Sequence, residues 1–419
     1  MQFGEQLIAS GLVDMPKTDA TRLRPVPAHV PPELVRPYPY VLGAKSKVRP
    51  HDFIADIHAG PAIFWAERAH SGADGAWIPR RFEDMQVIFK DIEHFSNGSI
   101  ASFHEEKSWH LIPGEADPPL HALYRAMANP EFTVKRIVVL EHKIRDYARQ
   151  AVAGFRDRGR CEFMKDFAFE FPIKVFLDLM GLRHDRIEEF LLWEHNLIYE
   201  ADRGKIEHAV AAIASFLREE IELRRKNPGD DLISYGIKAQ IDGRKLSDNE
   251  LVGFCFNLYA GGLDTVSNNL GWQFLHLAER IDHQKMLRAN PEAIPDAIEE
   301  MLRFYAPVTI SRVCKKDTVL NGVSMKVGDR VMLNTFLAGH DPEIYTDPEA
   351  MIFDRRARHL SFGYGPHLCL GMHLARRELR IALEEFLSQV PQFRLAAQDV
   401  KYYLGALLQP VEFEIVWNS

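Results

Sequence analysis

One ten-residue stretch constrains this 419-residue chain more than any other: Phe362-Gly363-Tyr364-Gly365-Pro366-His367-Leu368-Cys369-Leu370-Gly371. Glycines and a proline surround a single cysteine, and an amphipathic helical pattern follows at once. Glycine reaches positive φ without steric cost, so such a turn can bring backbone close to a flat ligand. A helix starting just after the cysteine turns unpaired N–H groups toward the sulfur and favours its thiolate. The pattern predicts a thiolate offered to a metal from a turn. Two plainer readings stay open on these residues alone. A free Cys is often a small buried hydrophobe, and Cys369 with His373 one turn later has the spacing of two zinc ligands. Cys161, Cys255 and Cys314 are scattered, with no Cys-x-x-Cys spacing to support a zinc site.

With 46% hydrophobic residues the chain has material for a large core, and a net charge of −8 argues against general nucleic-acid binding. So few cysteines in so long a chain suit a reducing compartment better than a disulfide framework. The apolar run Leu7–Val13 is too short for a membrane anchor and lacks the flanks of a signal peptide, so a cytoplasmic protein without membrane contact is expected. Residues 1–40 are Pro-rich and read as an N-terminal arm, with 41–419 as a single domain. Helical periodicity marks Pro130 to Phe155, Asp185 to Tyr199 and Ile206 to Arg225. Ile241-Asp242-Gly243-Arg244 reads as a hairpin turn. Ser247 and Glu250 form a capping box that opens a long, nearly all-apolar helix, expected to run to about Arg280. Pro295 opens another helix toward Tyr305. Asp317 to Thr335 alternates like strands around an Asn321-Gly322 turn, Leu370–Val390 is helical up to Pro391, and short strands follow Phe393. The fold class is mainly α with a small β portion.

Three further constellations carry chemistry. Ala260-Gly261-Gly262-Leu263-Asp264-Thr265 lies in the middle of the apolar helix, where each glycine costs on the order of 1 kcal/mol relative to alanine. That cost suggests a close approach or a local opening of the helix, with Asp264 as a carboxylate in apolar surroundings beside the Thr265 hydroxyl. Glu300 and Arg303 share a helix face, a spacing that is usually a weak surface pair. Asp117-Pro118-Pro119 is a helix entry that puts His121 and Arg125 on one face, by itself a surface basic pair.

Taken together these segments resemble the cytochrome P-450 family. The cysteine loop matches its haem-binding pattern Phe-Gly-x-Gly-x-His-x-Cys-x-Gly at every fixed position, and the others match in order and approximate spacing across 117–371. Within the family the likeness is to the bacterial camphor-hydroxylase type, carried by Gly261–Val266 and Cys369–Glu378. The resemblance implies a cytochrome P-450 fold with a long central helix over haem b, whose iron Cys369 ligates. A thiolate ligand pushes electron density to the iron and favours O–O cleavage. It implies that His121, Arg125, Arg312 and His367 hold the haem propionates, that Phe362 belongs to the haem loop, and that Gly261 and Gly262 form a groove for dioxygen. Asp264 and Thr265 then handle proton delivery. Glu300 and Arg303 become a folding network completed by Arg355 or Arg356.

The implied activity is monooxygenation. Dioxygen and two electrons hydroxylate a substrate C–H bond, with electrons from a two-iron ferredoxin and its reductase, since no flavin or iron–sulfur pattern is present. Arg125, Arg376, Arg377 and Arg380 offer a basic docking patch. Departures from the camphor type shape the expected substrate. Trp109 stands where that enzyme has a tyrosine, its indole N–H still a donor. Asn257 and Ala260 stand where larger or more apolar side chains occur, Val308 matches a pocket valine, and Ile310 replaces an acidic residue. A small apolar cyclic substrate of monoterpenoid or norisoprenoid type is expected rather than camphor itself. Rival readings are a peroxygenase or isomerase on the same fold, and a non-catalytic haem-based ligand-binding protein.

Overall fold

Apolar residues at helical spacing form α1 (Phe82–Lys90), α2 (Leu120–Ala128), α3 (Val134–Ala153), α4 (Glu170–Met180), α5 (Ile187–Ile198) and α6 (Arg203–Lys226). They are followed by α7 (Asp248–Gly262), α8 (Thr265–Glu279), α9 (Ile281–Ala289), α10 (Ile294–Tyr305) and α11 (Met372–Gln389). The structure, a computed structural model, describes residues 10–16, 24–70, 74–98, 109–397 and 399–418.

Side-chain caps set the helix starts. Thr133 accepts from the Arg136 amide at 3.4 Å, so α3 begins after a 3-10 turn at Asn129–Phe132 rather than at Pro130. Asp202 accepts from the Lys205 amide at 3.2 Å and starts α6 one turn before the pattern at Ile206 suggests. The capping box of α7 is formed in both directions, Glu250 N to Ser247 Oγ at 3.3 Å and Ser247 N to Glu250 Oε2 at 2.7 Å.

The stretch expected to be helical to about Arg280 is two helices, and the local opening suggested at the glycine pair is a full break. α7 ends at Gly262 and α8 restarts at Thr265, where the Asn268 amide donates to the Asp264 carbonyl at 2.9 Å. Two glycines weaken the ladder, and the Thr265 hydroxyl donates to the Gly261 carbonyl at 3.0 Å, so the side chain takes an acceptor at the break. The two glycines answer different needs. A Cβ on Gly262 would lie 2.2 Å from the Phe176 ring of α4, whereas one on Gly261 would meet nothing within 4 Å. Gly262 lets two helices approach; Gly261 borders open space.

The largest sheet contains β1 (Ile63–His70), β2 (Asp74–Pro79), β3 (Phe95–Ser96), β4 (Thr309–Cys314) and β5 (Arg330–Asn334), in the order β1-β2-β5-β4-β3. Only the β5–β2 pairing is parallel. The Asn321-Gly322 turn closes a separate hairpin between Thr318–Leu320 and Val323–Met325, with both turn residues at positive φ, +48° and +78°. Thr335 leaves the strand pattern and starts a short helix, Thr335–Gly339. The Asp242-Gly243 hairpin and the C-terminal strands are present as expected.

Two large hydrophobic cores fill the molecule. One joins the main sheet to α8, α10, α11 and the inner face of α3; the other is built from α4, α5, α6 and α7. The core changes hands at the α7–α8 break: Leu263 belongs to the second cluster and Val266 to the first. Residues of the Pro-rich stretch join the first core through Val30, Tyr38 and Tyr40.

The Glu300–Arg303 pair is not at the surface. Arg303 is fully buried and Glu300 3% exposed. Glu300 accepts from Arg303 Nε and Nη2 at 2.8 and 2.7 Å, from Arg355 Nε at 3.0 Å and from the Ile352 amide at 3.1 Å. Arg303 also donates to the carbonyls of Gly339, Pro348 and Ala350. Arg355 therefore completes the network, while Arg356, at φ +50°, turns away to pair with Asp296. Every strong partner of this buried carboxylate is present, as a buried ion pair requires.

Candidate active site

Cys369 sits in a turn whose backbone is shaped by Gly363 and Gly365, both at φ +70°. Its amide donates to the Phe362 carbonyl at 2.9 Å, folding the loop back on itself just before α11. The thiol is accessible, although enough protein surrounds it for burial to act on its pKa. Burial raises its pKa; the Gly371 amide, Arg125 and Arg376 pull the other way and favour the thiolate. Phe362 lies under the Arg376 guanidinium, 4.5 Å from ring centroid to carbon.

Cations converge beside the thiol. The His121 and His367 rings are 4.0 Å apart, and Arg125 and Arg312 act electrostatically on His367. Arg312 is 2% exposed, donates to the Ser311 carbonyl at 2.9 Å and stacks on Phe89. Burial lowers its pKa to about 10. Burial lowers His121 to about 4 and His367 to about 3, with the neighbouring cations adding to both shifts. Among the described residues no carboxylate forms an ion pair with Arg125 or Arg312. Asp117, the nearest acid acting on them, is taken up by Ser96 Oγ at 2.6 Å, the Asn97 amide at 3.0 Å and Lys315 at 3.3 Å. Buried His121 Nε2 has no partner. Buried cations without counter-ions fit a ligand that brings its own negative charges.

A second accessible surface comes from the α7–α8 pair. Residues 251–256 are buried throughout, yet Asn257, Gly261, Thr265 and Asn269 are accessible. They recur every fourth position and so share one face across the break. Ala260 is also accessible. Val308, Ile310 and Arg312 alternate with their neighbours along β4 and its entry, and so share one face of the strand. Val308 and Ile310 are half-buried. Trp109 is 5% exposed and packs on Phe256 at 4.8 Å between ring centroids, so its ring is chiefly a packing element against α7.

Asp264 is 2% exposed and accepts a hydrogen bond from the Tyr199 hydroxyl, which in turn accepts from Asn268 Nδ2 at 2.7 Å. Burial raises its pKa to about 6, with Tyr199 and Asn268 drawing it back. An acid poised there is suited to exchanging protons near neutral pH.

The cytochrome P450 family model matches residues 159–401, more than half of the chain. The chain belongs to the cytochrome P450 family. A probable cytochrome P450 127A1 from Sinorhizobium fredii is 35% identical over 89% of this chain and 92% of its own length. The steroid C26-monooxygenase of Mycobacterium tuberculosis is 35% identical over 68% of this chain and 79% of its own. Among solved structures, CYP101J2 superimposes with a TM-score of 0.84 at 29% identity over 95% of this chain and all of that one. CYP101C1 does so with 0.82 at 30% identity over 94% of this chain and all of that one. The protein is a P450 monooxygenase with a haem-iron cofactor.

The residues present fit that cofactor. Cys369 offers a sulfur, and beside it the two guanidinium groups of Arg125 and Arg312, with the imidazoles of His121 and His367 as hydrogen-bond donors, suit two carboxylates. The expected basic patch does not stand as read. Arg376 is bidentate to Glu299 at 2.6 and 2.8 Å, while Arg377 and Arg380 both reach Glu141. Arg125 is half-buried on the cofactor side. All three arginines are thus ion-paired within the protein, two of them sharing Glu141 with Arg145, and the adjoining part of α3 exposes Val134, Val138 and Val139. Tyr199 and Asn268 were missed from sequence: 65 residues separate Tyr199 from Asp264, and no motif links them.

Proposed function

We propose that this P450 hydroxylates a small apolar cyclic compound of monoterpenoid or norisoprenoid type, taking electrons from a two-iron ferredoxin. One observation carries the substrate class. The accessible face toward the cysteine offers two small residues, Ala260 and Gly261, one amide and one hydroxyl, and β4 adds Val308 and Ile310. Such a wall suits a compact apolar body with at most one polar handle, for which Asn257 is the donor. When bound, the haem iron supplies activation of dioxygen with two electrons. The chain's part is to orient the substrate along this face and to hold protons. The Thr265 hydroxyl rests on the Gly261 carbonyl, one turn away on the same face, and Asp264 behind it holds a carboxyl that exchanges near neutral pH.

Ferredoxin docking on the Cys369 side is supported by the groove between α3, α10 and α11, lined by Val134, Ile137, Ile298, His373 and Arg376. Its apolar floor and ion-paired rim would make the contact partly hydrophobic. Among the described residues no helix is long and apolar enough to cross a membrane.

The test is an optical titration of the ferric holoenzyme with camphor, ionones, larger steroids and macrolides, reading the haem spin state. A low-to-high-spin shift confined to compact terpenoids supports the reading. A shift with steroids alone moves the protein toward the activity named for its mycobacterial relative and overturns the proposed class. For the partner, Val134→Glu, in the groove itself, should raise the ferredoxin concentration needed for half-maximal reduction with the haem spectrum unchanged. Unaltered reduction kinetics would remove that docking face.

A further inference from the structure

Behind Asp264 lies a second acid that no motif singles out. Glu194, near the C-terminal end of α5, is 2% exposed, and neither of its carboxyl oxygens has a hydrogen-bond partner. Asp264 Oδ1 is equally buried and without a partner, while its other oxygen is occupied by Tyr199. Three buried carboxyl oxygens without a protein partner thus belong to two acids that act electrostatically on each other and on the Tyr199 hydroxyl.

The surroundings contain no compensating cation. Glu194 is faced by Asp264 at the α7–α8 break, by Tyr199 at the end of its own helix and by Tyr259 of α7. The Tyr259 hydroxyl is engaged with the Phe190 carbonyl at 2.9 Å. His195 stacks on Tyr199 on the far side, toward Glu200, Lys45 and Lys205. Arg186 and Glu189 act on Tyr259 from the start of α5. Among the described residues no arginine, lysine or histidine forms an ion pair with either acid. Two like charges so placed cannot both persist near neutral pH. Burial and the Asp264 charge hold the Glu194 carboxyl well above the usual range, whereas the hydrogen bond from Tyr199, whose hydroxyl in turn accepts from Asn268, favours ionised Asp264.

We propose that Glu194 and Asp264 share one proton at neutral pH, held mainly on Glu194, and that Glu194 replenishes Asp264 after each delivery toward the cofactor. The transfer is balanced. The O–H bond of the Glu194 carboxyl breaks, one forms on Asp264 Oδ1 directly or through a bridging water, and Glu194 becomes the carboxylate. It regains a proton from bulk water. Glu194 acts through Asp264 and is a positioning residue for the proton. Tyr199 fixes which Asp264 oxygen stays free to receive it. This extends the assignment of Asp264 as proton donor and rests on it.

The test uses ferric holoenzyme and infrared difference spectroscopy at neutral pH, which needs neither substrate nor redox partner. Wild type minus Glu194→Gln should show loss of one protonated-carboxyl band that shifts in heavy water. Loss of an ionised-carboxylate band instead would overturn the proposal. Titrating Asp264 by the same method should leave its midpoint near the wild-type value in Glu194→Gln, because Glu194 is already uncharged where Asp264 titrates; a clearly lowered midpoint would mean that Glu194 ionises first and would overturn the proposal. In turnover with a surrogate ferredoxin, Glu194→Gln should slow product formation by up to about a hundredfold, the lower end of what a positioned proton donor contributes. The ligand-induced spin shift should keep its affinity, the solvent isotope effect should rise, and Glu194→Asp should restore part of the rate. An unchanged rate, pH profile and isotope effect would also overturn it. Asp264→Asn separates the failures: if that variant is unimpaired, the assignment of Asp264 itself falls.

Discussion

Gly261 and Gly262 are adjacent and both helical, yet the structure predicts opposite outcomes for the same substitution. Alanine at either position gains up to about 1 kcal/mol from helix propensity. At Gly261 the new methyl meets nothing within 4 Å, so that gain should survive. At Gly262 it would lie 2.2 Å from Cε2 and 2.3 Å from Cδ2 of Phe176, a ring 6% exposed between α4 and α7. Forcing such a side chain aside in a packed core costs about 1–3 kcal/mol. The propensity gain cancels between the two variants, so Gly262→Ala should be about 1–3 kcal/mol less stable than Gly261→Ala. For a chain of this size that is on the order of a few degrees in thermal midpoint. The assay is loss of the haem-thiolate absorbance at one fixed heating rate, because unfolding of a large cofactor protein is rarely reversible. Gly261→Ala should stand at or above wild type and also alter the spin-state titration, since its methyl projects onto the face shared by Asn257 and Thr265. Equal midpoints for the two variants would show that Phe176 yields freely and would refute the packing argument.

Other expectations follow from the same geometry. Thr265→Ala should bind ligands as wild type does but release a larger share of reducing equivalents as peroxide; tight coupling in that variant, measured as product per reductant consumed, would argue against its proton role. Arg355→Ala should destabilise by about 3 kcal/mol or more by stripping a partner from buried Glu300, whereas Arg356→Ala, at an exposed pair, should stay within about 1 kcal/mol; similar denaturation midpoints would contradict this. Burial lowers the pKa of His51 and His276 to about 3 and holds that of His340 well below its ordinary value. Their folded pKa values lie below the unfolded value, so their stability contribution is complete above about pH 6.5 and is lost as pH falls from there toward 3, by at most about 1.4 kcal/mol per unit per histidine. His51→Phe, which keeps the stack on Phe304, should flatten the fall of the denaturation midpoint with acid; an unchanged slope would count against it.

Much of the fold was legible because its signals are local. Ser247 and Glu250, Asn321-Gly322 and Pro391 act within four residues of themselves, and each stands where read. The boundaries that moved depended on side chains just outside the periodic stretch, Thr133 and Asp202. The break between α7 and α8 was signalled by the glycine pair, but two long apolar runs on either side masked how completely it separates them. At the site, the cysteine loop and the cations were legible as motif positions. The Arg376, Arg377 and Arg380 cluster misled because their partners, Glu299 and Glu141, come from other helices, and sequence spacing does not report pairing across α3, α10 and α11. Tyr199 and Glu194 meet Asp264 only through tertiary packing, so no spacing could announce them.

The α7–α8 break coincides with the boundary between the two hydrophobic cores. Each half of the interrupted helix is anchored in its own mass of side chains, one continuous with the main sheet and α11, the other with α4, α5 and α6. The thiolate loop precedes the helix that belongs to the first. Apart from Leu370, which packs on the second core right beside the thiolate, side chains of that core can therefore change size, and so remodel the space available to a substrate, away from the half that fixes the metal ligand. A division of this kind separates what has to stay constant for oxygen chemistry from what is free to diversify, and it places the boundary at Leu263-Asp264, between the accessible Gly261 and Thr265.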